Sequence, residues 1–266
     1  MTKLFIFLFI FSCLGALLSG LLGIGGGIVF VPLLDFFYSK SGLPEGELPK
    51  FILANSIGAT FLASSISTFK HYRNGARVLR KSSFIASTAI PFSLGVTYTI
   101  ARGEWYKLSD FKTIFLCLLL LVGLKMMIPL REKKRKQTLH KYLLVGMITG
   151  TVAALSGLGG GVVMVPLLVF FCGEKLKTAS QISISTISML TFPNVVYYLL
   201  SIPPMKLANH IGYLNFFAQV VIFIAVLIFS PLGVQLARNL SSRTIQIIFA
   251  LLIFFIVFRY AVQIIF

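Results

Sequence analysis

Two glycine triplets stand inside long apolar stretches, and each is followed shortly by the sequence Val-Pro-Leu-Leu. The glycines and prolines are Gly25, Gly26, Gly27 and Pro32 in the first copy, and Gly159, Gly160, Gly161 and Pro166 in the second. Glycine disfavours helix, so each triplet predicts a break whose main-chain groups must be buried in protein or line a watery cavity. Amides at the start of the next helix, with its dipole, can bind an anion. The alternative is that the glycines only let helices pack closely.

Polar side chains follow each triplet on the next predicted helix. Ser56 and Thr60 are one turn apart with Asn55 beside them, and Gln181 and Ser185 have the same spacing in the second half. Hydroxyls and amides can bind an oxyanion without the cost of burying a fixed charge. The alternative is that each Ser or Thr bonds a carbonyl of its own helix or a neighbouring helix. We predict that these five side chains bind substrate together with the glycines and prolines.

Few charged residues lie within the apolar stretches. Arg259 is the deepest cation, and it aligns with Lys125 of the first half. A charge inside a membrane indicates function by default, so Arg259 joins the predicted substrate-binding residues, although its stem could also carry it to the interface. Asp35 aligns with Val169; it could couple protons to transport or be solvated at a helix end.

Residues for catalysis are not arranged in any recognisable site. The three histidines, His71, His140 and His210, lie in predicted loops or at their edges. The apolar stretches contain no Ser-His-Asp arrangement, paired carboxylates or metal-spaced cluster. The sequence therefore predicts no enzyme, no metal site and no cofactor.

The elements that position these residues are membrane helices. Of 266 residues, 57% are hydrophobic and 12% charged, against about 25% charged in soluble domains. Apolar segments are predicted at about 4–38, 51–69, 83–101, 111–129, 142–172, 179–201, 211–236 and 244–265. This indicates an all-α, polytopic membrane protein with about eight transmembrane segments, in which the first segment of each half is broken by glycine.

The two halves are copies of one unit. Residues 23–37 align without a gap to residues 157–171, an offset of 134 residues. We expect a first membrane repeat at 1–132, a basic cytoplasmic linker at 133–141 and a second membrane repeat at 142–266.

Loop charge predicts the orientation. The net charge of +17 is concentrated between apolar segments, chiefly at 70–81 and 131–141, which are therefore predicted to be cytoplasmic. This explains the charge better than a nucleic-acid partner. Eight full crossings would make the copies parallel, whereas opening segments that enter and leave on one side would make them inverted. The second half's loops carry nearly equal charge, so both arrangements stay open.

At these residues the chain resembles the TauE/SafE family of sulfite exporters, also called TSUP. The resemblance rests on Gly-Ile-Gly-Gly-Gly-Ile-Val-Phe-Val-Pro-Leu-Leu at 23–34, its second copy at 157–168, the helix at 54–58 and the loop at 71–75. It implies secondary transport of small anions such as sulfite and organosulfonates. Asn55 stands where the family usually has glycine, which puts the substrate in question.

The sequence thus predicts a multi-pass transporter of the cell inner, cytoplasmic membrane, working by alternating access. Its partners would be a small anionic substrate and the lipid bilayer; a coupled proton or sodium ion and a homo-oligomer are left open. A passive anion channel and a non-transporting scaffold or maturation factor are the alternatives.

Overall fold

The structure is a computed structural model that describes residues 2–39, 43–75, 78–103, 105–127, 138–204 and 209–265. In chain order these residues form α1 (Thr2–Leu22), α2 (Gly27–Tyr38), α3 (Leu48–Arg73), α4 (Leu79–Arg102), α5 (Leu108–Met127), α6 (Leu139–Ser156), α7 (Gly161–Phe170), α8 (Leu176–Leu200), β1 (His210–Ile211), β2 (Leu214–Asn215), α9 (Phe216–Asn239) and α10 (Ser242–Ile265). Residues 133–137 of the predicted basic linker lie outside this description.

The predicted all-α, polytopic class is confirmed. Five described helices, α3, α4, α6, α8 and α9, are long and apolar enough to cross a membrane, judged by length and composition. These lengths do not establish the count of eight crossings. One boundary differs from expectation: the segment predicted from residue 211 begins with the antiparallel strands β1 and β2, and α9 starts only at Phe216. Asn215 caps that helix by accepting a hydrogen bond from the amide of Ala218 at 2.9 Å.

Each opening segment is a helical hairpin. In the first, the rings of Phe7 on α1 and Phe36 on α2 are 5.2 Å apart, so the two helices run in opposite directions. In the second, Tyr142 at the start of α6 donates a hydrogen bond to Glu174, just beyond α7. Each of the two segments therefore begins and ends on a single side of the molecule.

The two hairpins open at opposite ends. The basic end contains Lys81 and Glu174, which pair at 2.5 Å, together with Lys177 and Arg238. The second hairpin opens there. The first hairpin opens at the opposite, aromatic end, which contains Tyr38, Phe51, Tyr98, Tyr197, His210 and Tyr213. The two copies are thus inverted with respect to each other, which is the second of the two arrangements that the sequence left open.

Contacts between the copies are reciprocal. Ser65 of α3 bonds Ser188 of α8, while Phe61 of α3 packs against Phe192 of α8, so these helices are antiparallel. Likewise α1 packs along α9, and α6 packs along α4. Small residues allow the backbones to approach closely: Gly20 of α1 lies against the backbone of α9, and Gly150 of α6 lies against the backbone of Ala89. Such exchanged contacts are expected for two units related by a two-fold axis.

The linkers shift the alignment between copies. The chain from α2 to α3 is longer than the chain from α7 to α8, so the offset of the hairpins does not carry over to α3 and α8. The reciprocal contacts instead match Phe61 with Ser188, and hence Thr60 with Ile187. The same register matches Asn55 with Ile182, beside the predicted counterpart Gln181.

Candidate functional site

The tips of the two hairpins meet in the interior. A Cβ atom added to Gly27 would lie 2.7 Å from Cα of Leu158, and one added to Gly161 would lie 2.6 Å from Cα of Ile24. In the repeat alignment Gly27 corresponds to Gly161, and Leu158 corresponds to Ile24. The two contacts are therefore equivalent. Neither glycine can carry a side chain without separating the tips.

The break has the same backbone in both copies. Gly25 and Gly26 have φ values of 78° and 75°, and Gly159 and Gly160 have φ values of 68° and 77°. Only glycine adopts this left-handed region readily. Gly26 and Gly160 are the N-caps of α2 and α7, and neither helix has a side-chain cap. Two helix N-termini without side-chain caps therefore meet in the interior, as the anion-binding prediction requires.

Thr60 lies between the two breaks. Its Cγ2 atom would be 2.8 Å from a Cβ on Gly25 and 2.6 Å from a Cβ on Gly159. The side chain is fully buried, and within the described residues its hydroxyl has no hydrogen-bond partner. Such an orphaned buried group costs about 1–3 kcal/mol. Ile187 occupies the matching place on α8, so the polar group at this point comes from one copy alone.

Asn55 and Ser56 brace the scaffold. The Asn55 amide donates to the carbonyls of Phe51 and Tyr213, both at 2.9 Å, and its Oδ1 accepts from the amide of Asn215 at 2.8 Å. Ser56 donates to the carbonyl of Gly157 at 2.7 Å. These bonds tie α3 to the β1–β2 turn and to the second break, so in this structure both side chains are engaged by main chain.

The other predicted site residues are dispersed. Ser185 is buried in α8, and Gln181, one turn earlier, lines a cavity at the basic end. Pro32 and Pro166 do not begin their helices but lie inside α2 and α7, where the missing N–H leaves the carbonyls of Ile28 and Val162 without their helical partner. Arg259 falls within α10, but its side chain lies outside the described part.

Three buried serines of α1 and α8 were not among the site residues predicted from the sequence. Ser180 donates to the carbonyl of Leu22 at 2.6 Å and so fixes the end of α1 just before the first break. Ser19 and Ser183 are fully buried, and their hydroxyls have no partner within the described residues. Ser183 stood among the polar residues of its helix, but nothing in its spacing separated it from its neighbours.

A cavity of about 40 Å³ approaches the first hairpin from the basic end. Gly20, Leu21 and Ser180 are buried in it, while Lys177 and Arg238 lie at its exposed rim. This is several-fold more than the roughly 10–15 Å³ that one water needs by the same measure. The first break is therefore approached by a space that is polar and basic at its mouth.

The matching positions at the aromatic end are filled. Tyr106 donates a hydrogen bond to the carbonyl of Leu155, the counterpart of Leu21, and burial raises the pKa of its phenol, which keeps it a donor. Lys50, the counterpart of Lys177, pairs with Glu47 at 2.9 Å. A groove of about 280 Å³ does occur at this end, but it lies between the loop after α8 and the β1–β2 turn and includes no residue of either hairpin.

Fold and site together define a polytopic α-helical membrane protein in which two inverted, glycine-broken hairpins meet in the interior. The chain belongs to the Sulfite exporter TauE/SafE family, whose model matches residues 8–260. This confirms the resemblance found in the sequence. The family is one of membrane transporters rather than enzymes.

Three relatives span nearly the whole chain. A probable membrane transporter protein of Methanocaldococcus jannaschii is 27% identical over 234 residues, covering 87% of this chain and 85% of that protein. A probable membrane transporter protein of Haemophilus influenzae is 26% identical, covering 92% and 95%. The probable membrane transporter protein YunE of Bacillus subtilis is 20% identical, covering 95% of each. No solved structure gives a significant match.

Proposed function

We propose that this chain is a secondary transporter of small anions, with sulfite and organosulfonates as the first candidates, that works by alternating access in the cytoplasmic membrane. One observation carries the proposal: two helix N-termini without side-chain caps meet in the interior on either side of Thr60, whose buried hydroxyl has no hydrogen-bond partner among the described residues. Main-chain amides and positive dipole ends favour negative charge, and the hydroxyl adds a donor.

The surroundings favour an anion that binds and leaves. The three atoms nearest to a Cβ built on each glycine of the two breaks belong to uncharged residues, so an anion there would meet dipoles and hydroxyls rather than a fixed countercharge at closest range. A site of this kind binds without a strong ion pair, which suits a substrate that must be released on the other side. The basic rim of the cavity would attract the same ligands from solution.

Orientation follows from charge. Among the described residues the basic end carries one acidic side chain, Glu174, and nine basic ones: Lys70, Arg73, Arg80, Lys81, Lys141, Lys175, Lys177, Arg238 and Arg243. At the aromatic end the charges nearly balance. The excess of Lys and Arg on cytoplasmic loops supports placing the basic end in the cytoplasm. In that placement the cavity faces inward.

Alternating access is supported by the inverted copies. Inverted repeats allow a transporter to exchange the conformations of its halves, so that the end that is open becomes closed. In this structure the basic end has a cavity beside the first break, and the aromatic end is filled at the matching positions.

The test is flux in proteoliposomes. Sulfite and organosulfonate uptake should saturate with concentration and respond to an imposed pH or sodium gradient. Thr60→Val removes the hydroxyl at nearly constant volume and should lower flux about tenfold, the effect of losing one hydrogen bond to a charged ligand. Thr186→Val is the matched control, because the Thr186 hydroxyl is buried in α8 but bonds its own helix at Ile182.

Two results would overturn the proposal. Single-channel currents without saturation would indicate a passive channel. Absence of both flux and ligand-dependent stabilisation across sulfonates and carboxylates would favour a scaffold.

A further inference from the structure

The cavity at the basic end has a binding chemistry of its own. It lies where α1, α3, α8, α9 and α10 meet, and none of its lining residues is acidic. Its polar groups come from three elements: His71 of α3, Lys177, Ser180 and Gln181 of α8, and Arg238 of α9. It is thus more than a gap left by imperfect packing of apolar side chains.

His71 is the feature that points to a ligand. It lies in the last turn of α3, is only 7% exposed and lines the cavity. Its Nε2 atom is buried, and no described residue provides it with a hydrogen-bond partner. Buried polar groups are nearly always paired, so this nitrogen calls for a partner in the adjoining space. As Nε2–H of the neutral imidazole, it would donate to that partner.

The charges around His71 have one sign. Lys177 donates to the main-chain carbonyl of Arg238 at 3.1 Å, which joins the start of α8 to the end of α9. Within the described residues the ion pairs are Lys50–Glu47 and Lys81–Glu174, so Arg238, an exposed residue that lines the cavity, has no acidic partner there. A guanidinium can donate two parallel hydrogen bonds to two oxygens of an oxyanion.

The start of α8 adds a dipole. This 25-residue helix begins at Leu176, which lines the cavity, and its N-cap residue Lys175 makes no side-chain cap. The positive end of the helix therefore has no side-chain acceptor. Among the described residues, an imidazole nitrogen without a hydrogen-bond partner, a guanidinium without an acidic partner and this helix start therefore belong to the lining of one small space.

We infer that this cavity is a second anion site, distinct from the glycine breaks, that binds an oxyanion through His71 Nε2 and the Arg238 guanidinium. Ser180 lines the same space and bonds the last residue of α1, so the site adjoins the first break. The inference rests on the proposed function in one respect: it makes the bound anion the transported species waiting at the cytoplasmic entrance.

Direct binding tests the site without requiring transport. Sulfite and sulfate are titrated into the purified full-length chain, and the dissociation constant is measured by calorimetry and by the shift in thermal unfolding. Arg238→Gln should raise the sulfite Kd about tenfold, as expected for losing a charge-assisted hydrogen bond. Arg238→Lys should recover part of the lost affinity, since lysine restores the positive charge but not the bidentate donor geometry of the guanidinium.

Arg243→Gln is the matched control, because Arg243 is exposed at the same end and does not line the cavity. It should leave the Kd unchanged. His71→Phe keeps a ring in place of the imidazole and should also weaken binding. Equal effects of Arg238→Gln and Arg243→Gln, or no detectable binding to the unaltered chain, would overturn the site.

Flux separates this inference from the proposed function. If sulfite binds through Arg238 but proteoliposomes show no gradient-driven flux, the site stands and the transporter proposal fails. If flux is gradient-driven but Arg238→Gln binds sulfite like the unaltered chain, the transporter proposal stands and the site fails.

Discussion

The basic and aromatic ends of the molecule are built from equivalent helices but differ in chemistry. At the basic end, His71, Lys177 and Arg238 surround a cavity that reaches the first hairpin. At the aromatic end the equivalents of His71 and Lys177 are Tyr198 and Lys50; Tyr198 is fully buried, and Lys50 is paired with Glu47. The backbone pattern is shared, so the difference between an open and a filled end lies in side chains that only one copy carries.

Cysteines placed at matched positions test this difference in access most directly. With the three native cysteines replaced by alanine, Gln181→Cys is placed in the cavity, and Ala54→Cys is placed at the matching buried position of α3. A small charged thiol reagent should modify the first more than about tenfold faster, which a conformational preference of roughly 1.4 kcal/mol would give. Equal rates would show that the two ends do not differ in access.

Equivalent substitutions in the two hairpin tips should destabilise the protein to a similar extent. Gly27→Ala and Gly161→Ala each place a methyl against the opposite break, and each should lower the free energy of unfolding by about 1–3 kcal/mol. The double variant should lose less than the sum, because both methyls separate one pair of surfaces. Gly95→Ala is the control, since a Cβ there meets nothing within 4 Å. Thermal unfolding in detergent measures all four proteins.

Asn55 tests whether the brace between α3 and the β1–β2 turn is structural. Asn55→Ala removes bonds to two carbonyls and one amide and should cost about 2 kcal/mol of stability. The KM for transport by the folded variant should stay unchanged. A raised KM with unchanged unfolding temperature would instead restore Asn55 as a substrate ligand. Asn239→Ala, exposed at the end of α9, is the control.

The ion pairs at the two ends should have the smallest effects. Glu174→Gln weakens the bond to Lys81, whose side chain is 36% exposed, and should cost about 1 kcal/mol. Glu47→Gln at the aromatic end should cost no more, because the Lys50–Glu47 pair spans a single helical turn. Unfolding temperatures at low and high salt would compare them. A cost of several kcal/mol for either would show that it holds its end of the molecule closed.

Much of the architecture follows from local sequence. Apolar length predicts the helices, and the glycine triplets predict the breaks, because both effects act over a few residues. The orientation of the hairpins does not follow, since it depends on whether Phe7 meets Phe36, and the loops of the second half carry too little charge contrast to decide.

The candidate site is less accessible from the sequence. Thr60 was one of several hydroxyls on its helix; its place between Gly25 and Gly159 depends on the antiparallel packing of α3 on α8. Asn55 has the residue type of an anion ligand, but its bonds go to a turn more than 150 residues away, which no local pattern reveals. The unequal linkers after the hairpins also hide the register between α3 and α8.

The reciprocal contacts have a further consequence for the conformer not seen here. Because each copy is packed in the manner of the other, assigning to each half the internal geometry of its counterpart yields explicit coordinates for a molecule open at the aromatic end. In that conformer Tyr98 and Tyr197, whose rings are now 6.4 Å apart, should separate, while His71 and Arg238, which now line the cavity, should move towards each other. Distances between paired spin labels at these positions would measure both changes. The present geometry of the second half thus predicts the geometry that the first half adopts in the other conformer.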